Sequence, residues 1–316
     1  MKSEAQICYE KVQNEILSSP GMVEESERRL LFKHAFASRG DQSIVEFGAF
    51  FGASSLSLLA GANAKKKQKV ICIDAYEVSQ DHRFCKHVIS IAQRYHLEKL
   101  LEKKGNKINW RRITEKVIGE KYLSQATLIE SLVDETFNFN LLPNPIGLLH
   151  LDLPKDADTL KPILDGSFTK LSPNSVIAFQ DYAYHFSNEL ICFFRLLEKE
   201  GIITPVNIAA SSIFYKVKHS DPSKIKWQEY LHTAQAHQSE LIRDATIQYK
   251  NFKQFRKNEI TALKGAEIVS LLSKKKRDLA VVQQIENLIF ETFKADPRNA
   301  SRVLSQILSE KIETHR

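Results

Sequence analysis

Two glycines four residues apart, Gly48 and Gly52, follow an apolar run at 44–47 and precede a small and apolar stretch at 53–60. Ile44, Val45 and Phe47 suit a short strand that stops at Gly48, and Ala53 onward reads as a helix start. Glycine at both ends of the intervening loop lets the backbone turn sharply and approach a ligand closely. The N-terminus of the helix beyond it offers unpaired N–H groups to an anion. A second apolar run, Val70 to Ile73, ends in Asp74, a carboxylate suited to the vicinal hydroxyls of a ribose. Strand, glycine loop, helix, strand and acid make up a nucleoside-cofactor half-site.

The rest of the chain supports an α/β fold. Residues 1–40 read as helices, with Leu30, Leu31, Phe32 and Phe36 at helical spacing. Strands are expected at 43–47 and 69–73, a helix at 82–104, a weak strand at 116–118 and a helix at 127–133. An apolar strand at 146–152 ends in Asp152, a helix follows at 157–170, and 171–174 reads as a turn. A strand at 175–181 ends in Asp181, a helix covers 188–200, and 206–217 holds a closing strand or hairpin. Strands alternating with helices imply a Rossmann-like, doubly wound, mostly parallel sheet. Ligands of such sheets lie at the carboxyl ends of the strands, where Glu46, Gly48, Asp74, Asp152 and Asp181 all fall.

Beyond residue 220 no strand pattern is evident, and helices are expected at 222–257, 259–273, 277–294 and 297–313. Asp221-Pro222 and Asp296-Pro297 each resemble an N-cap followed by proline in the first turn. The expected domains are an N-terminal helical lead-in (1–40), the α/β domain (41–218) and an appended helical region (219–316). Apolar stripes such as Leu279, Val282, Ile285, Leu288 and Ile289 suit a helical hairpin and contacts between copies in a homo-oligomer.

At 316 residues, with 43% hydrophobic and 26% charged, the composition is that of an ordinary soluble protein. No apolar run approaches the roughly 20 residues that cross a bilayer, and the first twelve residues lack the apolar core of a signal peptide. The four cysteines (Cys8, Cys72, Cys85, Cys192) form no C-x-x-C pair, so reduced thiols and a cytoplasmic location are expected. The net charge is +7, and residues 219–316 carry 17 Lys and Arg against 12 Asp and Glu, densest at Lys274 to Arg277. Aromatics are not interleaved with these bases as a nucleic-acid stacking surface needs, so a solvated helix face is favoured over a nucleic-acid partner.

The spacing E-x-G-x-x-x-G from Glu46 to Gly52 differs from the G-x-G-x-x-G of dinucleotide sites. It resembles motif I of the class I S-adenosylmethionine-dependent methyltransferases, and ICID at 71–74 resembles their motif II. That resemblance implies S-adenosylmethionine as cofactor, with Glu46, Gly48, Ala49, Phe50, Gly52, Ser54 and Asp74 binding it. In the family the glycine loop lies under the methionine part, the second-strand acid holds the ribose, and the acid matched by Glu46 supports the loop.

LLHLD at 148–152 and KLSPNSVIAFQDY at 170–182 extend the resemblance, to the branch that includes sugar and macrolide O-methyltransferases. It covers about residues 25–215. It implies methylation of a small-molecule or sugar hydroxyl, with Asp152 in the catalytic centre. It also implies a divalent metal such as Mg on Asp152 and Asp181, orienting substrate oxygens and lowering a hydroxyl pKa. The chain departs from the branch at Gln180, at Pro173-Asn174, and at Pro154, which stands where the sugar enzymes have their base. His185, four residues past Asp181, is the expected replacement base. His150, on the same side of its strand as Asp152, is either a second candidate or a core histidine. The alternative function is an S-adenosylmethionine-binding or assembly protein whose active site has degenerated.

Overall fold

A computed structural model describes residues 2–65, 68–153, 157–218, 227–250, 252, 256–273 and 279–313. The chain divides into two compact units, residues 1–153 with 162–178, and residues 154–161 with 179–316. Its strands form the expected mostly parallel sheet with flanking helices, followed by a helical C-terminal region.

The first unit opens with α1 (Glu4–Ser18) and α2 (Glu25–Ala37), which lead into β1 (Ser43–Phe47), α3 (Ala53–Lys65) and β2 (Val70–Asp74). After β2 come β3 (Glu77–Ser79), α4 (Arg83–Arg94), β4 (Glu102–Lys104), β5 (Lys107–Asn109), α5 (Arg111–Ile118) and α6 (Glu120–Leu123). The unit continues with β6 (Ala126–Glu130) and β7 (Ile146–Leu151); α7 (Ala157–Phe168) and β8 (Leu171–Phe179) follow. Within it the strands lie in the order β6-β2-β1-β7-β8. β1 runs parallel to β2 and β7, and β2 runs parallel to β6. Parallel neighbours need a crossover, and α3 supplies it between β1 and β2. Ten successive residues of α3, Ala53 to Ala62, are buried, and most are small. A Cβ on Gly61 would overlap Phe32 O of α2, so these two helices meet backbone to backbone. The core below is the apolar face of β1, β2 and β7, with Ile44, Val45, Phe47, Ile73, Leu148 and Leu149 buried.

The structure corrects four expectations here. The helix expected over 82–104 ends at Arg94, where His96 takes a positive φ of 55°, and β4 occupies 102–104. Residues 116–118 are not a strand but the end of α5, which buries Ile113, Thr114 and Ile118 on one face. Residues 127–133 are not a helix; β6 occupies 126–130 and pairs with β2 from Val70↔Ala126 to Asp74↔Glu130. Its β-branched Thr127 and Ile129 fit an edge strand better than a helix. Residues 171–174 belong to β8 rather than to a turn, with Asn174 at φ 74°. The small antiparallel sheet β3-β5-β4 was not expected at all.

The second unit holds α8 (Asn188–Lys199) and the antiparallel hairpin β9 (Ile203–Ala209) and β10 (Ser212–Val217). The helices α9 (Trp227–Ala236), α10 (Gln238–Tyr249), α11 (Lys257–Leu272), α12 (Leu279–Ala295) and α13 (Pro297–Glu313) follow. The single helix expected over 222–257 is thus two, parted at His237. Asp296 caps α13, its Oδ1 accepting from Asn299 N at 3.3 Å. Ile268, Val269, Val303 and Ile307 form a buried cluster of α11 and α13, with Ile285, Leu288 and Ile289 of α12 packed against it. The expected cap at Asp221-Pro222 and the basic run Lys274 to Arg277 lie outside the described residues. Among the described residues, no helix is long and apolar enough to cross a membrane.

Candidate active site

The glycine loop leaves β1 through Gly48 at φ 90° and enters α3 through Gly52 at φ 88°. These are left-handed conformations that side chains resist. Gly48 N donates to Ile73 O at 2.8 Å, tying the loop to β2. A Cβ on Gly48 would overlap the carbonyl of Asp152, and Asp152 N donates to Phe47 O at 2.8 Å, so the exit of β7 packs directly on the loop. At the other end a Cβ on Gly52 would lie 3.1 Å from Thr114 Cγ2 of α5. The first intrahelical bond of α3 runs from Leu56 N to Gly52 O. The N–H groups of Ala53, Ser54 and Ser55 precede it, in the position of an anion site.

Asp74 closes the loop from the side. Its Oδ2 accepts from Phe50 N at 2.8 Å and its Oδ1 accepts from Tyr76 N at 2.6 Å. Burial raises its carboxyl to about 6, although both backbone donors pull the other way. Each oxygen of an ionised carboxylate has two lone pairs, so one remains on each for a further donor. The set therefore fits a ribose with two vicinal hydroxyls.

Phe50 holds φ 45°, with its N–H on Asp74 and its carbonyl accepting from Thr114 Oγ1 at 2.5 Å. Its ring stacks on Phe51 at 4.1 Å and meets Phe84 and Trp110, each at 5.6 Å. Trp110 is buried, and its Nε1 has no hydrogen-bond partner among the described residues. Thr114, Trp110, Phe84 and Tyr76 were absent from the sequence reading. They come from the segment between β2 and β6, whose residues carry no motif spacing. Ala49 and Ser54 are buried within the same loop and helix start.

Glu46 lies beneath the loop, fully buried. It accepts from Ser55 Oγ, and its Oε1 lies 3.0 Å from His150 Nδ1. His150 is itself buried, in the setting of a bonded core histidine.

The remaining expected residues divide between the units. Asp152 belongs to the first, at the exit of β7. Asp181 belongs to the second, at φ 56°, with Oδ1 accepting from Ser211 Oγ at 3.0 Å and its carbonyl accepting from Ser187 Oγ at 2.7 Å. Gln180 Oε1 accepts from Ser212 Oγ at 2.9 Å. Among the described residues no three His, Cys, Asp or Glu side chains gather as a metal site needs. Pro154 and Lys155 lie outside the described residues.

His185 is buried in the second unit, its ring 4.5 Å from Tyr184 and 4.2 Å from Phe186, with its Cβ under Gly265 of α11. Its Nε2 has no hydrogen-bond partner among the described residues. Burial, and then the nearby Arg302 charge, lower its pKa to about 4, so the ring is neutral at pH 7 and a weak base.

Residues 45–182 match the family model described as a methyltransferase domain, a span running from β1 through the glycine loop to Tyr182. The match gives residues 45–182 a methyltransferase domain, and the mostly parallel sheet with flanking helices is the Rossmann-like fold such a domain has. Among solved structures it is similar to an O-methyltransferase from Bacillus cereus in complex with SAH. That likeness is 14% identical with a TM-score of 0.40, covering 69% of this chain and 92% of the other. It is also similar to the O-methyltransferase NovP, at 11% identity and a TM-score of 0.46, over 66% and 88% of the two chains. A third is CalS11, a TDP-rhamnose 3'-O-methyltransferase, at 13% identity and a TM-score of 0.40, over 68% and 96%. No curated protein matches the chain.

Proposed function

We propose that this methyltransferase acts on a hydroxyl of a small molecule or sugar. The observation that carries the cofactor part of this reading is the Asp74 carboxylate, bonded to the glycine loop's own Phe50 N–H and left with acceptor capacity at a strand tip. Bound there, S-adenosylmethionine supplies an activated methyl on a sulfonium. The chain's residues have three tasks in this reading. Asp74 accepts from the ribose hydroxyls. The first turn of α3, from Ala53 to Ser55, faces the cofactor's carboxylate with N–H groups that have no intrahelical partner. Gly48 and Gly52 keep the loop free of side chains where the cofactor approaches.

A hydroxyl nucleophile must lose its proton as it attacks, and a nearby carboxylate can take it in the transition state. Asp152, packed against the loop at Gly48, is the proposed acceptor. His185, neutral but enclosed by aromatic rings and α11, serves packing in this reading. No step is assigned to a metal on Asp152 and Asp181.

Titration calorimetry of the intact chain with S-adenosylmethionine tests the proposal. Binding in the micromolar range is expected, and Asp74→Ala should weaken it by about a hundredfold, as two charge-assisted hydrogen bonds are lost. An intact, folded chain that takes up no cofactor would overturn it.

A further inference from the structure

Three adjacent strands bring polar side chains to one point under the glycine loop. β1 sets Glu46 opposite Cys72 of β2 and opposite His150 of β7. All three are buried to 1% exposure or less, in the middle of an otherwise apolar sheet. Glu46 uses one carboxylate oxygen toward His150 Nδ1, at 3.0 Å, and the other to accept from Ser55 Oγ. Ser55 stands in the first turn of α3, the turn that follows the loop. A carboxylate removed from water is costly unless donors satisfy it. Cys72 sits beside it, but burial and the Glu46 charge push that thiol up, so it stays protonated and weakly polar.

We propose that His150 is a positioning residue for cofactor binding. Its Nδ1–H donates to Glu46, and Glu46 holds Ser55. Through Ser55 the pair sets the first turn of α3 and the loop from Gly48 to Gly52 in the form that receives the cofactor. The inference rests on the methyltransferase reading given above. Two residues beyond His150, Asp152 N is bonded to Phe47 O, and the Asp152 carbonyl abuts Gly48. One strand therefore supports the loop from below, through His150 and Glu46, and from the side, through Asp152. Without the imidazole, the buried Glu46 carboxylate loses a donor that water cannot replace. A carboxylate no longer fixed on that side holds Ser55 less firmly, and the first turn of α3 loses its anchor.

The test is S-adenosylmethionine affinity by calorimetry at 20 °C (about room temperature, far below typical melting), with thermal unfolding recorded separately on each protein. His150→Leu should weaken cofactor binding by about tenfold or more, and His150→Asn, whose amide N–H reaches the same oxygen, should restore it to within about threefold. Glu46→Gln removes the charge that needs the donor, so His150→Leu added to it should cost little further affinity. That pair decides the matter where His150→Leu alone does not fold. Three results would overturn the inference: wild-type affinity in folded His150→Leu, an Asn variant as weak as the Leu variant, or fully additive losses in the double variant. A fall in melting temperature with affinity unchanged would make the pair merely structural, and also overturns it. Absence of binding to the wild-type chain is a different failure, that of the methyltransferase reading itself.

Discussion

A single carboxyl illustrates how burial and function pull against each other in this protein. Asp74 sits at the tip of β2, bonded to two backbone N–H groups, yet its pKa stands at about 6, above its ordinary 3.8, because it is buried. The folded state thus holds the proton more tightly than the unfolded chain. That contribution to stability is fully present below the unfolded pKa and is lost as pH rises through about 6. In the proposed binding mode cofactor binding has the opposite sign, since the ribose hydroxyls would donate to the ionised form. S-adenosylmethionine affinity measured from pH 5 to 8 (about the range in which such a group titrates) should fall on the acid side of about 6. Asp74→Asn should flatten that profile. At this scale the sequence was informative. Gly48, Gly52 and Asp74 were legible because a positive φ, a close approach and an acid at a strand tip each demand a particular residue type. Thr114 and Trp110 were not, because a hydroxyl on a helix and a buried indole acquire meaning only from what they face.

Elements are held by contacts that neither propensity nor pattern encodes. Arg28 of α2 is buried without an ion-pair partner among the described residues. Its Nη1 donates to Ile16 O, Ser19 O and Ser19 Oγ at 2.5, 3.2 and 2.8 Å, and its Nε to Val23 O at 2.8 Å. One guanidinium thereby closes the carboxyl end of α1 and the turn into α2. Arg28→Met keeps the stem and deletes the donors, and should cost roughly 2–3 kcal/mol by urea unfolding of the intact chain. The two exchanged assignments at 116–118 and 127–133 have the same origin. α5 carries buried residues at helical spacing together with an Arg111–Glu115 ion pair at 3.1 Å, a signal shorter than three turns. β6 has no fully buried residue, so its alternation was too weak to set it apart from a helix. Parallel pairing with β2 decided it. By contrast β1, β2 and β7 are buried along nearly all their length, and continuous apolar runs of that kind are hard to misread.

Over the whole molecule, the helical C-terminal region was visible as a change of pattern, and its packing was not. The cluster of Ile268, Val269, Val303 and Ile307 joins α11 to α13, with Ile307 at 1% exposure. Ile307→Asp would bury an uncompensated carboxylate there, and about 3–5 kcal/mol of local stability should be lost. Faster amide exchange across 257–272 and 297–313 is the expected readout. The division into two compact units also followed contacts rather than composition. Residues 154–161 group with 179–316, although the chain between them returns to the first unit. What the sequence by itself determined is the local chemistry: a strand, a glycine loop and an acid at the next strand tip, whose short-range requirements only certain residues meet. What the tertiary structure alone decided is the company those residues keep. Glu46 turned out to be spent on His150 and Ser55, and Asp74 to be held by Phe50 and Tyr76. Register between β1 and β7 sets Glu46 against His150, and a contact between residues about a hundred positions apart leaves no mark in the spacing of either.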